Sequence, residues 1–183
     1  MIDTVRWKEL QPGKPFPGKL RLIDQTKLPE RLEYLEIENS EDTYDCIKRL
    51  VVRGAPAIGC AAAFGLAAAH QHDDAVNYYD FIHGVNATAE YLAQARPTAV
   101  NLMWALKRCL RALEALRNED DVEKLKMALL NEAQAILDED ISMCEAIGEH
   151  GVTLLNNGDG VLTHCNAGAL ATGDYGTALS PLY

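Results

Sequence analysis

The residue most suggestive of chemistry is Cys165, which stands between a short apolar run and a glycine-spaced loop. The run Val161–Cys165 is typical of a strand, and the segment Asn166–Gly176 after it is rich in small residues. In open α/β sheets, ligands gather at the carboxyl ends of the strands, and a thiol beside the positive end of a helix ionises readily. Cys165 could therefore act as a general base or a nucleophile. An inert cysteine buried in a strand explains the same pattern equally well.

A second candidate is the segment Arg53-Gly54-Ala55-Pro56, which lies at the predicted start of a helix. The free N–H groups at a helix start and the positive end of the helix dipole favour an anion there. Arg53 adds a cationic fork that suits a phosphate, and Gly54 lets the backbone come close to a ligand. Taken alone, the pattern favours a plain corner between two helices over an anion site.

A third candidate is the segment Arg96-Pro97-Thr98-Ala99-Val100-Asn101. Pro97 can end one helix and begin the next. Arg96 is therefore expected at an exposed corner, from which its side chain could reach into a cleft. Taken alone, this pattern also favours the simpler interpretation, a capped junction with a solvated arginine.

The overall composition limits the kinds of partner. The chain has 183 residues and a formal net charge of −10, with 48% apolar and 24% charged residues, as in a soluble globular protein. Nucleic-acid binders usually carry a basic surface, so we expect no nucleic-acid partner. The longest apolar stretch, Pro56–Ala69, is too short and too rich in alanine to span a bilayer, so no membrane partner is expected.

The cysteines and histidines indicate a location and argue against a metal. The five cysteines are widely spaced, form no C-x-x-C pair and have no histidines at zinc-ligand spacing. An odd number of cysteines and the lack of a hydrophobic signal region at the N-terminus predict a reducing, cytoplasmic location. The polar stretch His70–Asp74 could suggest a metal site, but we interpret it as a solvated helix end.

Short strands and then helices are predicted to position these segments. Strands are predicted over Thr4–Leu10, Lys19–Asp24 and Leu32–Ile37. A first helix is predicted to begin with Ser40 as its N-cap and to end near Val52. A second helix begins at Pro56 and carries small residues at every fourth position from Ala57, which predicts close packing against a neighbouring helix.

Three further helices are predicted before the pattern changes. They cover residues 75–93, the stretch from Thr98 onward, and a long stretch that opens with a capping box formed by Asp120 and Glu123. A turn at Asn156–Gly160, the Val161–Cys165 strand, the glycine loop and a helix onset then follow, which is how a parallel α/β unit begins. One strand cannot make a parallel sheet, because its backbone groups would lack partners.

The three candidate segments occur in one chain as Val52–Ile58, Arg96–Asn101 and Leu162–Thr172, and Tyr175–Leu179 extends the third. Together, in this order and at this spacing, they resemble the methylthioribose-1-phosphate isomerase family. The resemblance covers nearly the whole chain up to Leu179. One short motif would be weak evidence, whereas three in register are strong evidence.

The resemblance implies a fold, a reaction and a set of site residues. It implies an α+β, mostly helical N-terminal part with short leading strands over residues 1–155. The beginning of an incomplete Rossmann-like α/β domain would occupy residues 156–183. The family interconverts 5-methylthioribose 1-phosphate and 5-methylthioribulose 1-phosphate in methionine salvage, usually as a homodimer and without a metal or an organic cofactor. Cys165 matches its catalytic cysteine. The residues expected to bind the sugar phosphate are Arg53, Gly54, Ala55, Arg96, Thr163, Asn166, Ala167 and Gly168.

The implied reaction moves hydrogen between C2 and C1 of the sugar, through an enediol-type intermediate or as a hydride shift. The first route needs a base near the C2 hydrogen, which the Cys165 thiolate could supply, and an acid for the oxygens. In the family that acid is an aspartate of the Rossmann-like domain, in a region without a counterpart here. Ser180–Tyr183 also departs from the helix expected after Leu179. We therefore expect a truncated form, or one piece of a split protein, that is inactive alone.

Relatives of the family offer other functions. Ribose-1,5-bisphosphate isomerases share the architecture, but Arg96–Asn101 and Cys165–Thr172 look closer to the methylthioribose enzymes. Regulatory subunits of translation initiation factor 2B share the fold and act as binding proteins without isomerase chemistry. The presence of Cys165 with the adjoining Asn166-Ala167-Gly168 favours the enzyme. The remaining interpretation is a non-functional remnant, prone to aggregate through the edges of its unpaired strand.

Overall fold

Three short strands form an antiparallel sheet against a layer of helices in the computed structural model, which describes residues 3–183. Met1 and Ile2, which belong to the N-terminal stretch used to predict the cellular location, lie outside the described residues. The strands are β1 (Val5–Gln11), β2 (Lys14–Ile23) and β3 (Tyr34–Ile37), paired in chain order. All three predicted strands are present, and β2 begins at Lys14 rather than at Lys19.

The sheet packs on the helices through alternate residues of β2. Leu20 and Leu22 are fully buried, as the two-residue period of a strand requires when one face is covered. Trp7 of β1 lies opposite Leu20, and its ring covers Gly18 so closely that a Cβ there would lie 2.4 Å from the ring. The same ring stacks on Phe64 of the helical layer, with 6.2 Å between ring centroids.

The described chain contains five α-helices around one apolar core. They are α1 (Ser40–Lys48), α2 (Ala55–His70), α3 (Tyr78–Ala93), α4 (Val100–Glu114) and α5 (Val122–Gly151). Buried side chains lie on every face of α2, as in a helix surrounded by other elements. A Cβ on Gly65 would lie 2.2 Å from Thr43 of α1, which confirms the predicted close packing of the small residues. None of the described helices is long and apolar enough to cross a membrane.

Several predicted helix boundaries need correction. Helices α2, α3 and α4 begin at Ala55, Tyr78 and Val100 instead of at Pro56, Ala75 and Thr98. The N-cap of α1 is Asn39 rather than Ser40, and its Oδ1 accepts a hydrogen bond from the Asp42 N–H at 2.8 Å. Helix α1 ends at Lys48 instead of near Val52, because the chain turns at Leu50 with a φ of +61°. The N-cap of α5 is Asp121, whose Oδ1 accepts from the Glu123 N–H at 3.2 Å, so Asp120 does not form the predicted box.

The stretch His70–Asp74 is partly buried. His70 Nδ1 lies 2.9 Å from Asp73 Oδ2, and its Nε2 lies 2.9 Å from Thr88 Oγ1 of α3. Gln71 Oε1 accepts a hydrogen bond from the Gly18 N–H at 2.9 Å, and its Nε2 donates to the Gly18 carbonyl at 3.0 Å. The prediction of a solvated helix end is therefore wrong for His70 and Gln71, which join α2 to α3 and β2.

The last part of the chain is irregular. Within residues 155–183, no strand forms over Val161–Cys165 and no α-helix begins after the glycine loop. The segment contains 3-10 turns at Ala169–Ala171 and Ser180–Leu182 and an isolated bridge between Gly168 and Gly176. The predicted strand is absent because no neighbouring strand in the described chain offers its N–H and C=O groups a ladder.

Candidate active site

The first and third candidate segments meet at Gly54. Gly54 precedes the first residue of α2 and has a φ of +100°, a conformation that side chains disfavour. A Cβ at this position would lie 2.4 Å from the Cα of Ala171. The backbone of the Arg53-Gly54-Ala55 turn therefore lies directly against the glycine loop that follows Cys165. Arg53 and Ala55 are exposed at this junction.

The second segment contacts the first through α2. A Cβ on Gly59 would lie 3.1 Å from the carbonyl oxygen of Asn101, so the start of α4 crosses α2 one turn after its N-terminus. Beside this crossing lies a cavity of about 340 Å³ between α2, α4 and α5. Its lining includes Pro56, Val100, Asn101, Trp104, Asp140 and Met143. Arg96 is half-buried in the turn before α4 and is not among the residues that line this cavity.

Cys165 is an exposed residue with an unusual backbone. Its φ is +73°, in the left-handed region that non-glycine residues seldom occupy. Such outliers cluster at functional sites, where the surrounding structure holds them in place. The helix whose positive end was expected beside this thiol is replaced by the 3-10 turn Ala169–Ala171. The thiol therefore lacks the helix dipole on which its predicted reactivity partly rested.

The other predicted ligand residues around Cys165 differ in exposure. Asn166 is exposed, Thr163 and Gly168 are half-buried, and Ala167 is buried. Ala167 contributes its carbonyl oxygen, which accepts a hydrogen bond from the Thr177 N–H at 2.9 Å. None of these four residues lines the cavity between α2, α4 and α5.

Burial distinguishes Cys165 from the other cysteines. Desolvation raises the pKa of Cys46 and of Cys109 to about 12 and that of Cys144 to about 11, and it also raises the pKa of Cys60. These four thiols stay protonated near neutral pH and act as apolar packing groups. All five cysteines are free, and Cys165 is the exposed one.

Four polar side chains that the sequence analysis did not single out hold the last segment in place. The Thr4 hydroxyl donates to the Ala169 carbonyl at 2.9 Å, and Gln25 Nε2 donates to the Leu170 carbonyl at 2.7 Å. Asp140 Oδ2 accepts from the Gly173 N–H at 2.6 Å. The Ser180 hydroxyl donates to the Cys144 carbonyl at 2.6 Å. No local pattern marks these residues, because their partners are backbone groups distant in sequence.

Asp140 is the charged side chain among these four. It is only 7% exposed, and burial raises the pKa of its carboxyl, while the hydrogen bond from the Gly173 N–H acts in the opposite direction. Asp140 is also one of the residues that line the cavity between α2, α4 and α5. Across residues 3–183, no group of three or more His, Cys, Asp or Glu side chains could hold a metal ion.

A model of the initiation factor 2 subunit family matches residues 51–182, which include all three candidate segments. The chain belongs to this family. A relative from Moorella thermoacetica named 5-deoxyribose 1-phosphate isomerase is 53% identical over 182 residues, which is 100% of this chain and 49% of the relative. A relative of the same name from Clostridium botulinum is 52% identical over 166 residues, 90% of this chain and 47% of its own length.

Two solved structures share the fold. The crystal structure of 5-methylthioribose 1-phosphate isomerase from Pyrococcus horikoshii is 37% identical, with a TM-score of 0.87 over 98% of this chain and 48% of that one. The crystal structure of translation initiation factor eIF-2B subunit delta from A. fulgidus is 42% identical. Its TM-score is 0.85 over 100% of this chain and 50% of that one. The predicted α+β architecture is thereby confirmed. The chain spans about half the length of the relatives that it matches.

Proposed function

We propose that this family member carries the phosphate-binding turn and the reactive cysteine of an aldose–ketose isomerase. Its substrate would be a pentose 1-phosphate with an apolar group or hydrogen at C5, and we favour 5-methylthioribose 1-phosphate in methionine salvage. The observation that carries the proposal is the packing of Gly54 on Ala171, which brings the Arg53 turn against the loop that follows Cys165. The names of the relatives support the reaction class, since both describe pentose 1-phosphate isomerases.

The chemistry assigns a role to each segment. The Arg53 guanidinium and the free N–H groups at the start of α2 would hold the phosphate, because both favour an anion. Arg96 would assist from the turn before α4, and Thr163, Asn166, Ala167 and Gly168 would bind the sugar near Cys165. An acid would protonate the ring oxygen as its bond to C1 breaks, while the Cys165 thiolate takes the hydrogen from C2 as a proton. The resulting enol would become the ketose when its O2–H proton leaves and C1 gains a proton. Substrate and product are isomers, so the sequence of steps needs no oxidant or reductant.

The proposal includes a division of labour between two domains. Residues 1–155 would form the helical domain, and residues 156–183 would begin a Rossmann-like domain that supplies the acid and the contacts of a homodimer. The free cysteines fit a reducing cytoplasm. We propose that the 183-residue chain alone is inactive, because the acid and one wall of the site belong to that domain.

The test is an isomerase assay on two proteins. One is the 183-residue chain, and the other is a chimaera in which the chain is joined to the second half of the Moorella relative. Each receives 5-methylthioribose 1-phosphate or 5-deoxyribose 1-phosphate, and formation of the ketose is followed by NMR. We expect turnover by the chimaera with a preference for the methylthio substrate, and none by the chain alone.

Variants of the chimaera test the catalytic cysteine. Cys165→Ala should lower kcat by about 100- to 10,000-fold, the usual effect of losing a general base. Cys46→Ala is the matched control, since Cys46 is buried and its thiol stays protonated. Full activity of Cys165→Ala would refute the catalytic assignment. A turnover of the unextended chain would refute the need for a second domain.

A regulatory binding subunit is the second candidate, favoured by the likeness to the A. fulgidus eIF-2B subunit delta structure. Such a protein would bind a sugar phosphate or a partner without converting it. A folded chimaera that binds both sugar phosphates and turns over neither would support this function against the isomerase.

A further inference from the structure

The loop that follows Cys165 is a closed unit. The Thr177 N–H donates to the Ala167 carbonyl at 2.9 Å, and Gly168 pairs with Gly176 in an antiparallel bridge. Inside this closure, the Thr172 hydroxyl donates to the Asp174 carbonyl at 2.7 Å. Since Cys165 lies two residues before Ala167, its place depends on where the closed loop is attached to the rest of the protein.

The attachment to the helical layer is made at Gly173. A Cβ on Gly173 would lie 2.6 Å from Leu137 and 3.0 Å from Ile141, so the backbone of the loop lies directly on α5. At this contact the Gly173 N–H donates to Asp140 Oδ2 at 2.6 Å. Hydrogen bonds to a charged acceptor are short and about twice as strong as those between neutral groups.

Asp140 differs from the other attachments of the loop. Thr4 and Gln25 hold the loop to the sheet side by donating to its carbonyl groups, whereas Asp140 lies on α5 and accepts from an N–H. Among the hydrogen bonds of the described residues, this is the one that the Asp140 side chain makes. Asp140 also lines the cavity between α2, α4 and α5, to which Pro56 and Asn101 contribute. One buried carboxylate therefore bonds to the loop that follows Cys165 and also lines a cavity to which the first two candidate segments contribute.

We propose that Asp140 is a positioning residue of the isomerase site, which fixes Gly173 and thereby sets the place of Cys165 relative to the Arg53 turn. The inference rests on the proposed function for its catalytic consequence but not for its structural content. A carboxylate on the rigid α5 helix supports a reactive residue that itself stands on a loop. Without it, Cys165 would remain present but displaced from the C2 hydrogen.

The structural content is tested on the ligand-free 183-residue chain by NMR. In the unaltered chain, a scalar coupling across the hydrogen bond should connect the Gly173 amide nitrogen with the Asp140 carboxyl carbon. In Asp140→Ala, the amides of Gly173 and Thr177 should exchange with solvent at least about 10-fold faster, because a hydrogen bond to a charged group has been lost. The amide of Phe64 in α2 should keep its exchange rate.

Two further variants separate positioning from a general loss of stability. Asp140→Asn keeps an acceptor oxygen and should restore slow exchange at Gly173. Asp138→Ala removes an exposed carboxylate of the same helix and should change nothing at Gly173. Absence of the coupling in the unaltered chain, or slow exchange at Gly173 in Asp140→Ala, would overturn the proposal. The coupling needs no variant, so an Asp140→Ala protein that fails to fold still leaves a decisive result.

The catalytic consequence is tested in the chimaera. Asp140→Ala should lower kcat by about 100-fold, the usual cost of misplacing a reacting group by about 1 Å. KM should change less than kcat, because the phosphate contacts on the Arg53 turn remain even though the sugar contacts of residues 166–168 move with the loop. Asp140→Asn should recover most of kcat. An equal loss of kcat in Asp140→Asn and Asp140→Ala would contradict positioning through Gly173. Absence of activity in every chimaera would instead refute the proposed function and leave the NMR result unaffected.

Discussion

The region from β1 to α5 and the region from residue 155 onward are held in place by different interactions. From β1 to the end of α5, regular elements share one apolar core, with Phe64 and Leu102 fully buried. From residue 155 onward the chain has only short turns and one bridge. This part is fastened by side chains of the first region that bond to its backbone, such as Gln25 to Leu170. The first region is a scaffold of regular elements around one core. The second is an irregular segment that is attached to the surface of this scaffold.

The difference indicates where stability and function reside. Burial of apolar surface is the main favourable contribution to folding, so the free energy of unfolding depends chiefly on the scaffold. A single hydrogen bond contributes about 1 kcal/mol net, so the fastened segment can open locally while the scaffold stays folded. Cys165 belongs to the less stable region, as reactive groups on loops commonly do.

The largest expected effect is on the scaffold. Phe64→Ala removes a fully buried ring that stacks on Trp7 and joins α2 to the sheet. We expect the free energy of unfolding to fall by about 3–5 kcal/mol, as for other buried phenylalanines. Chemical denaturation followed by circular dichroism measures it. The matched change Leu162→Ala, at a residue 97% exposed in the irregular segment, should alter that free energy by less than about 0.5 kcal/mol. Similar losses in both variants would remove the distinction between the regions.

The next effect is at the junction of the two regions. Gly54→Ala places a Cβ 2.4 Å from the Cα of Ala171 at a φ of +100°. We expect a loss of about 2–3 kcal/mol, shared between backbone strain and the displaced loop. Gly158→Ala is the control, since Gly158 also has a positive φ but has open space around it. Amide exchange of the 166–176 loop should rise in the first variant only, and equal effects of both would show that contact with Ala171 contributes nothing.

The smallest effect concerns the pH dependence of stability. Burial raises the pKa of the Asp140 carboxyl above its value in the unfolded chain, so the folded state disfavours the charged form. The resulting contribution is fully favourable below the unfolded pKa of about 3.9 and is lost as the pH rises through the folded pKa. Asp140→Asn lacks this loss, so its stability relative to the unaltered chain should increase from pH 3 to pH 7. A constant difference across that range would show that the carboxyl does not titrate on folding.

The sequence predicts the scaffold far better than the segment laid upon it. The positions of Leu106, Leu113, Leu125 and Leu129 at helical spacing are enough to place α4 and α5, because each helix buries one continuous stripe. The position of an N-cap can be predicted only to within one residue. Asn39 and Ser40 are both residue types that cap helices well, and the backbone conformation decides which of them is the N-cap. The run Val161–Cys165 has the composition of a strand, but pairing needs a partner that local sequence cannot provide.

The residues of the candidate site also fall into those that the sequence indicates and those that only the structure reveals. The types and order of Arg53, Gly54, Arg96 and Cys165 mark these residues for attention, and the structure places Gly54 against the loop after Cys165. The sequence alone could not show that Thr4, Gln25 and Asp140 hold the loop in place. Each is an ordinary polar residue whose partner is a backbone atom more than 30 residues away, and any residue type at the far end would offer the same atom.

Attachment through backbone atoms affects which residues of the segment can be substituted during evolution. The hydrogen bonds from Thr4 and Gln25 are made to the main-chain carbonyl groups of Ala169 and Leu170. Substitution of the side chains at these two positions would therefore leave both hydrogen bonds in place. Thr4 and Gln25 cannot be replaced so freely, because their side chains are the donors of these hydrogen bonds. Gly173 is also restricted, because α5 leaves no volume for a methyl group there. We therefore expect selection for holding the loop in place to act on Thr4, Gln25 and Gly173, whereas selection on Cys165 and its neighbours acts through the chemistry.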